Sequence, residues 1–318
     1  MAIGFHASHE QLSPASLLEA VQLAESAGFE AAMCSDHFAP WSERQGESGF
    51  AWSWLGSALQ ATSLSFGAVN APGQRYHPAI IAQALATLGQ MYEGRVWVAL
   101  GSGEALNEHI TGEGWPRKEL RNQRLLECVE VMRALFDGEV VSHDGLVTVD
   151  RAKLWTLPQQ KPQLLAAAVS AETARWAGGW ADGLATVAQP DDDLTRVIDA
   201  YRDGGGAGPL IVQVHVSWAP TDAEALEIAF DQWRNNTFAA PVSWDLETVE
   251  AFEVASERVR PEDVAQGVLV SSDPAVHRDT LRRYLDLGFD SVYVHHVGKN
   301  QKPFIDTYAQ NVLPEFAA

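Results

Sequence analysis

Two cysteines in 318 residues, Cys34 and Cys128, are too few and too far apart in sequence for a disulfide framework or a zinc pattern. Both read as small buried apolar residues. Basic residues are also scarce: 22 Lys and Arg stand against 42 Asp and Glu, a formal net charge of -20. That balance repels nucleic acid and anionic membrane surfaces and leaves a small molecule as the expected partner. An anionic cofactor stays within reach, because backbone amides and helix N-termini hold phosphate without net positive charge. No apolar run is long enough to cross a bilayer, and Met1-Ala-Ile-Gly-Phe-His6 has no basic stretch ahead of an apolar one. A soluble cytoplasmic chain is expected. There is no repeat of solenoid length and no low-complexity tract, and the first β-like run does not end in the G-x-G-x-x-G of a doubly wound sheet.

What the chain does have is alternation. β-like runs at Ile3–Ala7, Ala31–Cys34, Leu64–Val69 and Val96–Leu100 are each followed by a helix-like run: Pro14–Ala27, Trp52–Thr62, Ala79–Met91 and Leu120–Phe136. A hairpin insertion is predicted over Val140–Leu154, with Asp144-Gly145 at its turn. The pattern resumes with Gln163–Val169, Gly183–Val187, Leu210–Trp218, Gly267–Ser271 and Ser291–His296, and a closing helix reaches Glu315. Asn236–Arg258 reads as irregular. Counted as eight main strands with a helix after each, these nine runs predict an α/β fold, a (β/α)8 TIM barrel. We read 1–318 as one domain, with insertions near 138–160 and 236–260.

Such a barrel gathers its strand ends at one mouth. Val96-Trp-Val-Ala-Leu-Gly-Ser-Gly-Glu104 is an apolar strand breaking into glycines and a carboxylate, which makes Glu104 the first candidate. Glu10, Asp36, His37, Asn107, His295 and His296 fall at other strand ends, and Trp41 stands where it would cover them. Histidine titrates near neutrality and burial tunes carboxylates upward, so the set suits general acid and base work. Glu104 as a solvated first-turn carboxylate, Asp36 as a loop cap and Trp41 as core are the plainer readings. A metal site is the weaker one: His6 and His9 are not the His-x-His with which many barrel hydrolases begin. Gly67-Ala-Val-Asn-Ala-Pro-Gly73 reads as a bulge or tight turn against which a flat ring would lie.

Ser35-Asp-His-Phe-Ala-Pro-Trp41, Gly101-Ser-Gly-Glu-Ala-Leu-Asn-Glu108 and Tyr76-His-Pro-Ala-Ile-Ile-Ala-Gln-Ala-Leu-Ala-Thr-Leu88 together resemble the luciferase-like flavin-dependent oxidoreductases. Within them, the nearest likeness is to deazaflavin (coenzyme F420) dependent glucose-6-phosphate dehydrogenases. The resemblance implies a homodimeric barrel that binds a flavin or deazaflavin ring at its mouth and moves hydride at the ring's C5 or N5. It implies His37 as base for the substrate hydroxyl, Glu104 as acid serving the ring, Trp41 as stabiliser of the reacting intermediate, and Glu10 in the same catalytic set. Asp36, Val69, Asn70, Glu104, Asn107, Ala167, Ala168 and Val169 would hold the cofactor.

Two departures bear on substrate and cofactor. Where the sugar-phosphate enzymes carry phosphate-binding lysines and an arginine, this chain has Ala188-Gln-Pro-Asp-Asp-Asp193 and Val264-Ala-Gln-Gly267, and acids facing a phosphate would repel it. A non-phosphorylated alcohol, aldehyde or hemiacetal is therefore expected. The third-strand loop is one residue short, and Ala166-Ala-Ala-Val-Ser-Ala-Glu-Thr173 replaces a Gly-Gly phosphate turn. With Ala181-Asp-Gly183 and Trp244-Asp-Leu-Glu-Thr-Val249, this resembles the subgroup that reverted to FMN. FMN is expected first and coenzyme F420 second. An FMN-dependent monooxygenase, a metal-dependent hydrolase and a non-catalytic flavin-binding protein are the competing functions.

Overall fold

The computed structural model describes residues 2–317. Its strands are β1 (Ala2–Ala7), β2 (Ala31–Ser35), β3 (Ser65–Asn70), β4 (Val96–Leu100), β5 (Val141–Asp144), β6 (Thr148–Ala152), β7 (Gln163–Ala167), β8 (Leu184–Val187), β9 (Leu210–Ser217), β10 (Leu269–Val270) and β11 (Ser291–His296). The strands β1-β2-β3-β4-β7-β8-β9-β11 pair in parallel, and β11 returns to β1 to close an eight-stranded barrel. The (β/α)8 expectation holds. β5 and β6 form the predicted hairpin outside the ring.

The period of two along each ring strand divides the core in two. Met33, Trp97, Ala99, Leu165, Ile211 and Tyr293 point inward and fill the barrel, while Ala32, Cys34, Val98, Leu164 and Val212 point outward under the helices. The inward layer needs bare backbone to fit its rings. A Cβ on Gly67 would sit 2.1 Å from the Trp97 ring, and one on Gly4 2.4 Å from Tyr293.

The helices are α1 (Pro14–Ala27), α2 (Ala51–Ala61), α3 (Pro78–Met91), α4 (Ala105–Glu108), α5 (Lys118–Phe136), α6 (Ala171–Ala177), α7 (Asp191–Asp203), α8 (Asp222–Trp233), α9 (Val242–Asp245), α10 (Val249–Ser256), α11 (Pro261–Val264), α12 (Pro274–Asp286) and α13 (Gln301–Asn311). Ser13 caps α1 by accepting from the Ser16 amide, and Gly28 ends it in the left-handed region at φ 102°. The last turn, Leu313–Glu315, is a short 3-10 helix.

Three expectations change. Gly267–Ser271 supplies only the two-residue β10, which extends along Val216 and Ser217 beyond the end of β8, because the ring is already closed without it. Asn236–Arg258 is not irregular: α9 and α10 form there, and α10 buries Phe252 completely. Val69 and Asn70 lie in no bulge, since β3 keeps register with β2 and β4 up to Asn70. The small residues of this strand accommodate Trp97. The chain turns only afterwards, where the Gly73 amide donates to the Tyr76 carbonyl at 2.8 Å.

Candidate active site

Four of the predicted acids and bases sit just past strands, and barrel closure brings them to one end. Glu10 follows β1, Asp36 and His37 follow β2, Glu104 follows β4. His37 stands between two carboxylates. Its Nδ1 lies 3.1 Å from Glu10 Oε1 and its Nε2 lies 3.7 Å from Glu104 Oε2. The first contact is close but is set off the line of a hydrogen bond. Glu10 is buried, and its Oε2 accepts from the hydroxyls of Ser8 (2.6 Å) and Ser35 (2.9 Å).

The two carboxyls are driven in opposite directions. Burial works to raise Glu10, but His37 and the two serine hydroxyls outweigh it and hold its carboxyl below the ordinary range. Burial raises Glu104; His37 opposes the shift, and repulsion from Glu10 and Glu108 adds to it. One anion and one carboxyl disposed to keep its proton therefore flank a single imidazole. Trp41 closes the side of the site, its ring edge-on to His37 at 5.2 Å and to Phe252 at 5.1 Å.

The His37–Glu104 end opens into a cavity of about 240 Å³, close to the lower end of the roughly 300–1,000 Å³ typical of small-molecule sites. Val69, Asn70, Ala167, Ala168 and Val169 contribute to its wall, together with Gly101, Asp36 and Asn107. Asp36 is fully engaged: its Oδ2 accepts from Asn70 Nδ2 (2.7 Å) and Trp52 Nε1 (3.0 Å), and its Oδ1 from the Tyr76 hydroxyl (2.9 Å). Asn107 ties two loops together. Its Oδ1 accepts from the Phe38 amide at 2.8 Å, and its Nδ2 donates to Glu104 Oε2 at 3.3 Å.

Besides His37 Nδ1, two lining residues carry buried polar atoms without a partner among the described residues, Asn70 Oδ1 and Thr186 Oγ1. Small apolar side chains with orphaned polar atoms among them fit a flat ring that has a polar edge.

Several site residues carried no recognised signal in the sequence. Arg75 lies buried in the wall, donating from Nη2 to the Asp36 carbonyl (2.7 Å) and from its amide to Glu108 Oε2 (2.7 Å), with its guanidinium over the Tyr76 ring. It immediately precedes the Tyr76-His-Pro motif, so the signal lay one residue away. Lys118, Thr173, Thr186, Gln213 and Trp244 also line the cavity, from elements distant in sequence.

Other expectations fall elsewhere. Asp191 to Asp193 form the first turn of α7, where the helix dipole favours carboxylates, and Asp191 and Asp193 pair with Arg283 and Arg196. They do not line the cavity, and Gly267 is solvent-exposed. The expected repulsion of a phosphate by these acids therefore has no basis in the site. His295 and His296 are buried beside it, with their Nε2 atoms held by Gln11 (2.7 Å) and Asn300 (2.9 Å), and burial pushes both imidazoles down, His296 to about 4. Cys34 and Cys128 are buried free thiols. Among the described residues no group of three His, Cys, Asp or Glu is placed to hold a metal ion, and no helix is long and apolar enough to cross a membrane.

Comparison with known proteins adds independent findings. The luciferase-like monooxygenase family model matches residues 1–291. An F420-dependent glucose-6-phosphate dehydrogenase from Microbacterium testaceum (strain StLB037) is 34% identical over 99% of this chain and 97% of its own length. An F420-dependent secondary alcohol dehydrogenase, solved in complex with an F420-acetone adduct, superposes with a TM-score of 0.91 at 29% identity, covering 100% of this chain and 99% of its own. A monooxygenase from Streptomyces bottropensis shares the fold, with a TM-score of 0.76 at 18% identity over 100% of both chains.

Proposed function

This chain belongs to the luciferase-like monooxygenase family, and from that premise we propose an oxidoreductase that exchanges hydride between a flavin-type cofactor and a neutral alcohol, aldehyde or hemiacetal. The observation that carries this reading is the line Glu10–His37–Glu104 at the edge of the cavity. Coenzyme F420 now stands ahead of FMN as cofactor, because a 34% identical relative and a 29% identical structural neighbour are both named F420-dependent. FMN remains the second reading, favoured by Ala166-Ala-Ala-Val-Ser-Ala-Glu-Thr173 where those sugar-phosphate enzymes are expected to carry a Gly-Gly phosphate turn.

Bound against Val69, Asn70 and Ala167 to Val169, the cofactor supplies the hydride acceptor or donor. The remaining work falls to the protein. His37 Nε2 takes the hydroxyl proton as hydride leaves the substrate carbon, and returns it in the reverse direction. Glu10 is a positioning residue: ionised and held by Ser8 and Ser35, it stabilises the imidazolium that His37 becomes. Glu104, raised by burial, would hold a proton on its carboxyl at the cavity edge and act as the acid serving the cofactor. Trp41 orients the imidazole and excludes water.

A non-phosphorylated substrate is favoured on new grounds. Of the cationic side chains lining the cavity, Arg75 is already held by Asp36 and Glu108, which leaves only Lys118.

The test is His37→Ala, Glu104→Gln and Glu10→Gln, followed by the absorbance change of the cofactor on mixing with secondary alcohols. Each of the first two is expected to slow turnover by about 10²- to 10⁴-fold with the cofactor still bound. Undiminished hydride transfer in His37→Ala refutes the assignment.

A further inference from the structure

The wall of the cavity also holds a lysine that pairs with no carboxylate among the described residues. Lys118 is half-buried, lines the cavity, and forms no ion pair among the described residues, in a chain with 42 acidic side chains. Its position is also adverse for helix stability. Lys118 is the first residue of the 19-residue α5, where the helix dipole disfavours a cation, and no side chain caps that end.

Its ammonium is nonetheless held in place. It donates to Thr173 Oγ1 at 3.1 Å and sits 4.7 Å from the centre of the Trp244 ring, and both residues line the same cavity. Thr173 Oγ1 also lies 3.0 Å from Ser170 Oγ, which in turn accepts from the Thr173 amide. A hydroxyl has two acceptor positions and one donor. With Lys118 and Ser170 donating to it, Thr173 turns its own proton outward, and among the described residues it has no acceptor. A fixed ammonium and an unspent hydroxyl donor, side by side at a cavity wall, are complementary to a phosphate oxygen.

We propose that Lys118 and Thr173 form a phosphate site that holds the phosphate on the ribityl tail of the cofactor, replacing with side chains what a Gly-Gly turn supplies with backbone amides. The inference rests on the flavin-type reading of the cavity. It also assigns Trp244 a task, since its ring fixes the ammonium from the other side.

The test is binding, read as quenching of cofactor fluorescence. The wild-type protein is titrated with FMN and with riboflavin, which share a ring and differ in the phosphate, and with the deazaflavin with and without its phosphate-bearing tail. The same titrations are made on Lys118→Gln, Thr173→Val and Lys118→Arg. The wild-type protein is expected to prefer the phosphorylated member of at least one pair. Lys118→Gln is expected to weaken that member by roughly 10- to 100-fold, the range of a charge-assisted contact, and to leave the other unchanged. Lys118→Arg is expected to retain most of the preference, and Thr173→Val to lose part of it.

A preference that survives intact in Lys118→Gln overturns the phosphate site while leaving the oxidoreductase reading standing. The site is equally overturned if that variant instead loses only glucose 6-phosphate binding to the cofactor-loaded protein, because the lysine would then serve a substrate. Wild-type protein that binds none of the four compounds overturns both.

Discussion

Glu104 differs from Glu10 by environment alone. Both are glutamates within reach of His37, but Glu10 has two hydroxyl donors fixed on one oxygen, whereas Glu104 receives only the Asn107 amide at 3.3 Å and faces two other carboxylates. If Glu104 acts as an acid, turnover falls as pH rises through its elevated pKa, because the proton it supplies is lost. We expect kcat/KM to show this alkaline limb in the wild type and Glu104→Gln to abolish it, as a pH profile of steady-state rates will record. A limb that persists in the variant assigns it to another group. Glu10, Asp36, His37, Trp41, Glu104 and Asn107 were legible in the sequence because each lies in a short motif at the end of a strand. The pairing of Lys118 with Thr173 was not, because the two are 55 positions apart and meet only where the first residue of α5 reaches the first turn of α6, and Arg75 was hidden because nothing local indicates that a loop arginine will be held between two carboxylates.

Among the elements, the segment after α8 has a definite structure that its irregular sequence pattern concealed. α10 reaches back over the mouth: Phe252 packs on Trp41 and Leu106, and Glu253 accepts from Arg44 at 3.0 Å. Trp115 Nε1 donates to Asp245 at 2.8 Å and so ties α9 to the loop before α5. Phe252→Ala removes a wholly buried ring, a loss of about 3–5 kcal/mol in ordinary cores. We expect that cost to appear locally, as faster amide hydrogen exchange over 242–256 with exchange in β1 to β4 unchanged, together with a raised KM. Uniformly faster exchange throughout the barrel instead places Phe252 in the global core. The hydrophobic period could not reveal this segment. Short helices of four and eight residues give too few turns for an apolar stripe, and their stability comes from what they pack against.

The whole molecule is an acidic shell around a barrel that buries neutral imidazoles. Burial holds His6 at about 3 and His215 and His296 at about 4, against 6.5 in an unfolded chain. As pH drops from about 6.5 towards 3, the unfolded chain therefore takes up protons that the folded one refuses. The stability these residues contribute is complete above 6.5 and is lost progressively below it. Thermal unfolding followed between pH 7 and pH 4 is expected to show a falling Tm, with a shallower fall in His215→Gln. Equal slopes in the two proteins would mean that His215 does not carry its share of the effect.

The (β/α)8 fold and most of the helices followed from sequence alone, because apolar period, glycine breaks and capping are properties of neighbours along the chain. The ring's closure was decided by tertiary structure, as were the rank of β10 as an appendage, the burial of Phe252 and the meeting of Lys118 with Thr173 and Trp244. Each depends on which surfaces come together once β11 pairs with β1, and that is a property of the closed barrel rather than of any stretch within it.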